Sequence, residues 1–251
     1  MSKQVVAVCG KGGVGKTTVA AVIAQALFQR PDRKVLLVDA DPAGGLSTAL
    51  AIPVNRTLDQ VRQETIAEIK KRETDAQDMA VSLDYRLMEA LVERGNLALL
   101  ALGRPESVGC YCSVNTLLRE ALELLAGRFD LVVIDAEAGI EQVNRRVMSA
   151  VDRLLLVSDT SLKGLRVAET ICQVAQKISG PARASLLLNR VRGPEELREL
   201  QARTALEIVG WIPEDETIRQ FDAQGRSFLE LPASPAAQAI VQALASAGII
   251  P

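Results

Sequence analysis

Seven short apolar runs punctuate the chain, at residues 5–8, 35–38, 97–102, 131–134, 154–157, 185–188 and 208–212. They are rich in Val, Leu and Ile and lack the polar alternation of a half-exposed strand, so they read as parallel strands covered on both faces. Longer stretches with helical spacing separate them, at 16–29, 114–126, 142–150, 162–179 and 195–202. Strand and helix taking turns along almost the whole length predict an α/β fold. The expected architecture is a single doubly wound, mostly parallel sheet with helices on both faces, in one domain spanning 1–251. Gly180-Pro181 stops a helix and does not link two domains. The rhythm breaks at 56–93, a charged, helix-favouring insertion carrying Ile66, Ile69, Met79, Leu83 and Leu87. It reads as a pair of surface helices, with a partner-docking surface as the other reading.

Composition narrows the chemistry. Apolar residues make up 48% and charged residues 24%, which supports a sizeable core and excludes disorder or a coiled coil. The balance of 29 basic against 31 acidic residues, net −2, argues against a broad nucleic-acid face. Histidine is absent. That removes Ser-His and Cys-His nucleophile pairs, imidazole metal ligands and His bases, leaving Cys, Asp, Glu and backbone for any metal. The five apolar-type residues before Gly10 are too few for a signal-peptide core, and no run reaches the ~18 apolar residues of a membrane span. A cytoplasmic protein with neither membrane nor nucleic-acid partner is expected, and its cysteines, Cys9, Cys110, Cys112 and Cys172, are expected to be reduced thiols.

After the first apolar run comes Gly10-Lys11-Gly12-Gly13-Val14-Gly15-Lys16-Thr17-Thr18, which fits GxxxxGK[ST] between a strand and a helix. Glycines let successive N–H groups turn inward on phosphate oxygens, and the following helix adds its positive end. Lys16 is expected on the β and γ phosphates and the Thr17 hydroxyl on Mg²⁺. The second lysine adds more, because the basic loop does not need it. GKGGVGKT resembles the deviant Walker A box of the family that includes the nitrogenase iron protein, MinD, ParA and several metallochaperone ATPases. In that family the first lysine crosses a two-fold axis to the partner's nucleotide, so the resemblance implies a homodimer with ATP between two copies, and a catalytic role for Lys11.

Other segments extend the resemblance. Two strands end in Val38-Asp39-Ala40-Asp41 and Val133-Ile134-Asp135-Ala136-Glu137-Ala138-Gly139, and strand-end carboxylates converge on the crevice where doubly wound sheets bind ligands. Asp135 matches the Walker B carboxylate that holds Mg²⁺, the Gly139 amide is placed to sense the γ-phosphate, and Asp41 matches the switch residue that orients the attacking water. Asp39 reads as a strand-end cap or a carboxylate behind the Mg²⁺ as readily as it reads as a catalytic residue. Leu187-Leu188-Asn189-Arg190 resembles the adenine-reading segment, and Trp211-Ile212-Pro213-Glu214-Asp215 the loop over the other side of the base. An Asn after a strand is also an ordinary turn residue. GTP stays open, although an NKxD guanine box is absent.

A purpose for the ATPase comes from Gly109-Cys110-Tyr111-Cys112-Ser113. Cysteines at i and i+2 face the same way when extended, giving half of a tetrahedral site, and a two-fold dimer would complete Cys₄. Two buried structural cysteines are the alternative, and Cys9 and Cys172 fit that description better. The CxC pair followed by Asn115, Leu117, Leu118 and Arg119, together with 135–141, resembles the CooC-type accessory ATPases that insert nickel into carbon monoxide dehydrogenase. This implies an ATP-dependent metallochaperone with Ni²⁺ or Zn²⁺ shared between Cys110 and Cys112 of two chains, and carbon monoxide dehydrogenase or a related nickel enzyme as partner. The competing classes are a positioning ATPase of the ParA and MinD type with structural cysteines, and an iron-sulfur electron-transfer ATPase. Segment 236–250 lacks the basic amphipathic face of a MinD membrane helix.

Overall fold

The computed structural model describes residues 4–71, 85–104, 118, 120–136, 150–179 and 183–250. In chain order the elements are β1 (Gln4–Gly10), α1 (Lys16–Phe28), β2 (Val35–Asp39), α2 (Gly45–Ala49), α3 (Leu58–Lys71), β3 (Val92–Arg94), β4 (Leu97–Ala101), β5 (Leu131–Asp135) and β6 (Arg153–Ser158). They continue with α4 (Leu162–Ser179), β7 (Arg183–Asn189), α5 (Pro194–Gln201), β8 (Ile208–Ile212), α6 (Glu216–Ala223) and α7 (Pro235–Ser246). Eight strands form one sheet in the order β3-β4-β2-β5-β1-β6-β7-β8. Among the described residues only β3 runs antiparallel, against β4; the other pairs are parallel. The doubly wound, mostly parallel sheet expected from the apolar runs is therefore the fold, and all seven runs are strands.

Uninterrupted apolar strands build two cores because neighbouring side chains on a strand point to opposite faces. Val6 and Val8 pack with Val19, Ile23 and Leu27 of α1 and with Ile240 and Leu244 of α7. Val5, Ala7 and Cys9 pack on the other face with Leu58 and Val61 of α3 and with Leu165, Ala168 and Ile171 of α4. Both sides of β1 are thereby sealed, which is why the run shows no polar position.

The pattern reading missed β3, α2, α6 and α7. β3 straddles the end of the charged 56–93 stretch and turns into β4 through Gly95-Asn96, where Gly95 has φ 62°. Within that stretch α3 and a helical segment at 85–90 are helices as expected, joined by ion pairs from Arg56 to Glu64 and Glu89. α7 starts with Ser234, whose hydroxyl accepts from the Ala237 N–H, and Pro235 at the first turn. That is a helix-start signature, but the alanine-rich helix has little polar contrast to reveal its face. The expected helix at 142–150 falls outside the described residues except Ala150, which is in a turn. Of the one expected at 114–126, residues 118 and 120–125 are helical.

Candidate functional site

Strand order decides which loops meet. β5 enters between β1 and β2, so Asp39 and Asp135 are direct neighbours in register and Asp135 also pairs with Val8. The phosphate-type loop leaves β1 at Gly10, which sits so close to the Val157 carbonyl of β6 that a Cβ there would collide with it. Gly13 and Gly15 take left-handed φ of 81° and 95°, a region only glycine enters freely. Lys16 then opens α1; it is buried, and its ammonium donates to the Lys11 carbonyl at 3.4 Å.

Asp135 is 1% exposed, and neither of its carboxylate oxygens has a hydrogen-bond partner among the described residues. Burial pushes its carboxyl up to about 7; the nearby Thr17 hydroxyl and the Lys16 ammonium act the other way, while Asp39 and Asp41 add to the rise. Thr17 eases this cost without closing a bond of proper geometry. Asp39 is fully buried: Oδ2 accepts from the Ser47 N–H of α2 at 2.8 Å and Oδ1 has no partner among the described residues. Burial raises its carboxyl too. Buried carboxylate oxygens without donors are costly unless a cation completes them. Mg²⁺ binds through one or two carboxylates with phosphate and water supplying the rest, so Thr17 and Asp135 fit it. Among the described residues no three His, Cys, Asp or Glu side chains cluster as an all-protein metal site.

Asp41 lies on the loop to α2 and accepts from the Ala43 N–H at 2.8 Å, an Asx turn that fixes the segment. Beyond it, Gly45 packs against Thr17. Asp41, Thr17, Lys16 and Asp135 are thus gathered at the carboxyl ends of β1, β2 and β5.

A cavity of about 520 Å³ continues from the loop, lined by Gly15, Thr18, Asn189, Arg190, Pro213, Glu214 and Asp215. Its size suits a small ligand. The residues expected to hold the base are therefore brought together, with Ile212, Ile218, Arg219 and Ile240 added from β8, α6 and α7. Asn189 Nδ2 donates to the Val14 carbonyl at 2.7 Å. A carbonyl only accepts, so the amide orientation is fixed and its oxygen is left for another donor. Arg190 follows with φ 61°. The Asp215 carboxylate is committed to backbone: Oδ1 accepts from Thr217 and Ile218 N–H at 2.9 and 3.3 Å, and Oδ2 from Ala236 N–H at 3.0 Å.

Lys11 does not line this cavity; its ammonium donates to Asp159 Oδ2 at 3.5 Å, just beyond β6. Burial opposes ionisation of Asp159, but bonds from Ser161 and the Lys11 charge outweigh it and hold the carboxyl below its usual range. The pattern reading passed over Asp159, although it follows an apolar run as Asp39 and Asp135 do. Gly139, Cys110 and Cys112 lie outside the described residues. Cys9 and Cys172 are buried in the core, and burial pushes the Cys9 thiol up to about 12.

A parallel sheet with a glycine loop feeding a helix, and buried carboxylates at the neighbouring strand ends, defines a P-loop nucleotide-binding protein. Within that class the chain belongs to the CobQ/CobB/MinD/ParA nucleotide binding domain family, which matches residues 5–228. It is 35% identical over 235 residues to an uncharacterized ATP-binding protein of Methanocaldococcus jannaschii, covering 91% of this chain and 92% of the relative. It is 29% identical over 264 residues to the carbon monoxide dehydrogenase accessory protein CooC of Rhodospirillum rubrum, covering 96% and 95%. The crystal structure of a ParA family ATPase from Chlorobium tepidum superposes with a TM-score of 0.74 at 25% identity, over 97% of this chain and 99% of that one.

Proposed function

We propose that this chain is an Mg²⁺-dependent ATPase that closes as a homodimer around ATP and carries Ni²⁺ or Zn²⁺ to carbon monoxide dehydrogenase or a related nickel enzyme. The observation that carries the ATPase part is the buried Asp135 carboxylate, which has no hydrogen-bond partner among the described residues, beside Thr17 at the mouth of the glycine loop. Lys16 charges the β and γ phosphates, Thr17 and Asp135 hold Mg²⁺, and Gly139 offers its amide to the γ-phosphate. Mg²⁺ supplies neutralisation of phosphate charge when bound. Asp41 orients the attacking water, Lys11 reaches the partner's phosphates, and the Asn189 amide oxygen accepts from the 6-amino group of adenine, which disfavours a 6-oxo purine such as GTP. The loops carrying Gly12, Gly13, Val14 and Thr18, and Arg190, Pro213, Glu214 and Asp215, wrap the remainder of the nucleotide.

The delivery role is supported by the near full-length match to the Rhodospirillum accessory protein together with Cys110-Tyr111-Cys112. Nickel or zinc is the cargo, held by four thiolates from two chains. A ParA- or MinD-type positioning ATPase is the second reading, favoured by the superposition on the Chlorobium ATPase. Metal content of anaerobically purified protein, with and without ATP, separates them. The metal-carrying reading expects about one Ni²⁺ or Zn²⁺ per dimer by elemental analysis and no iron or acid-labile sulfide, as a single shared Cys₄ site requires. No bound metal, with ATP-dependent retention on DNA or lipid vesicles, favours positioning, and a visible iron-sulfur absorption band overturns both in favour of electron transfer.

A further inference from the structure

Lys11 is held by a turn shaped to present one carboxylate oxygen to it. Asp159 Oδ1 accepts from the Ser161 N–H at 3.1 Å and from the Ser161 hydroxyl, which leaves Oδ2 facing the Lys11 ammonium at 3.5 Å. The turn is secured further along: the Ser161 hydroxyl accepts from the Gly164 N–H at 3.0 Å, and the Ser158 hydroxyl donates to the Asp159 carbonyl at 2.8 Å. Gly164 is required for this closeness, since a Cβ there would collide with Asp159 Oδ1 and Ser158 Oγ. On the other side Gly10 presses against the Val157 carbonyl, so the ends of β1 and β6, from which the two loops leave, are locked side by side. The Asp159 carboxylate is thus oriented before Lys11 arrives.

We propose that Asp159 is a positioning residue that acts through Lys11: it holds the ammonium on its own chain while no partner is present and must release it when two chains close on ATP. The proposal rests on the homodimer reading above. Lys11 cannot satisfy its own Asp159 and a partner's phosphate at full strength together, so each dimer formed breaks two such pairs. Asp159 therefore sets how much ATP and protein are needed before the dimer closes, keeping the apo chain monomeric without blocking its own nucleotide site.

The pair is partly exposed, with side chains 30% and 26% accessible. Release of one such pair is expected to be worth about two- to fivefold in an equilibrium, so two per dimer give about four- to 25-fold. Asp159→Asn keeps an oxygen for the Ser161 N–H and replaces the facing oxygen with an amide NH₂, which offers nothing to an ammonium. Asp159→Ser repeats the test with a hydroxyl acceptor in the turn, should the first variant fold poorly. Sedimentation across a protein series with Mg-ATP is expected to show a tighter dimer in both variants by that factor, with monomer affinity for ADP unchanged. The difference should narrow as salt is raised, because the pair is screened. Acetylation of Lys11 in the nucleotide-free monomer, followed by mass spectrometry, should be faster in the variants. A wild-type chain that dimerises with ATP alongside variants that dimerise equally or more weakly overturns the latch alone. A wild-type chain that never dimerises with ATP overturns the sandwich and the latch together, and it does so before any substitution is made.

Discussion

Lys16 is 8% exposed and its ammonium rests on the Lys11 carbonyl, so its charge is concentrated where phosphates would enter the glycine loop. Lys16→Ala is expected to weaken ATP binding on the order of 100-fold or more, the usual cost of removing a charge-assisted contact from a partly dry site. Asp41 sits at the same strand ends, with one oxygen in an Asx turn to Ala43. Asp41→Ala should keep nucleotide affinity within a few-fold and lower turnover on the order of 100-fold, since phosphoryl transfer depends on a positioned water. Nucleotide titration beside steady-state hydrolysis measures both. Unchanged turnover in the Asp41 variant would remove it from catalysis. The sequence makes these two residues legible because their motifs are contiguous, whereas the partners of Asn189 and Lys11 lie 175 and 148 residues away.

At the scale of elements, Asp215 ties three pieces together: it caps α6, follows β8 and accepts from the start of α7. Burial opposes its ionisation, but N–H donors from Ala236, Thr217 and Ile218 and the Ser234 side chain outweigh it and hold its carboxyl below the ordinary 3.8. A depressed folded value means the cap's contribution is complete above 3.8 and is lost as pH falls through the folded value. Asp215→Ala should destabilise the chain by about 1–2 kcal/mol at neutral pH. Asp215→Asn should cost less and remove the part of the acid sensitivity that belongs to this group. Urea denaturation at pH 7 and at several acid values checks both, and an Ala variant as stable as wild type would deny the cap. The helix-start residues Asp215, Ser234 and Pro235 were visible in the sequence. What hid α6 was its length of eight residues, and what hid α7 was its alanine-rich composition, which gives little contrast between faces.

For the whole molecule the predictions concern two chains. If Lys11 acts across the axis, Lys11→Ala should weaken the ATP-dependent dimer at least tenfold while monomer ADP affinity changes little, because a charge-assisted contact to phosphate is lost from each chain. Sedimentation at several concentrations measures it, and a variant that dimerises normally with ATP removes the crossing lysine. If the metal is shared, loss of either Cys110 or Cys112 leaves two thiolates instead of four and should abolish most of the affinity, while Cys9→Ser and Cys172→Ser, both in the buried core, should leave it intact. Binding should also weaken on acidification, since protons compete for thiolates. Metal that survives removal of both Cys110 and Cys112 rules the shared site out.

By itself the sequence determined seven of the eight strands, the α/β alternation, the glycine loop with its lysines and the candidate carboxylates. Each depends on residues within one element, where periodicity and steric rules act over a few positions. Tertiary structure alone decided that β3 folds back on β4, and that the Asp135 oxygens find no donor among the described residues beside Thr17. It also decided that Asn189 is pinned to Val14 and that Asp159 takes hold of Lys11. These are meetings between residues far apart in the chain, set by the order in which strands enter the sheet. Local pattern carries no record of that order, because the free energy that selects it comes from burying whole faces of β1 and its neighbours against helices on either side.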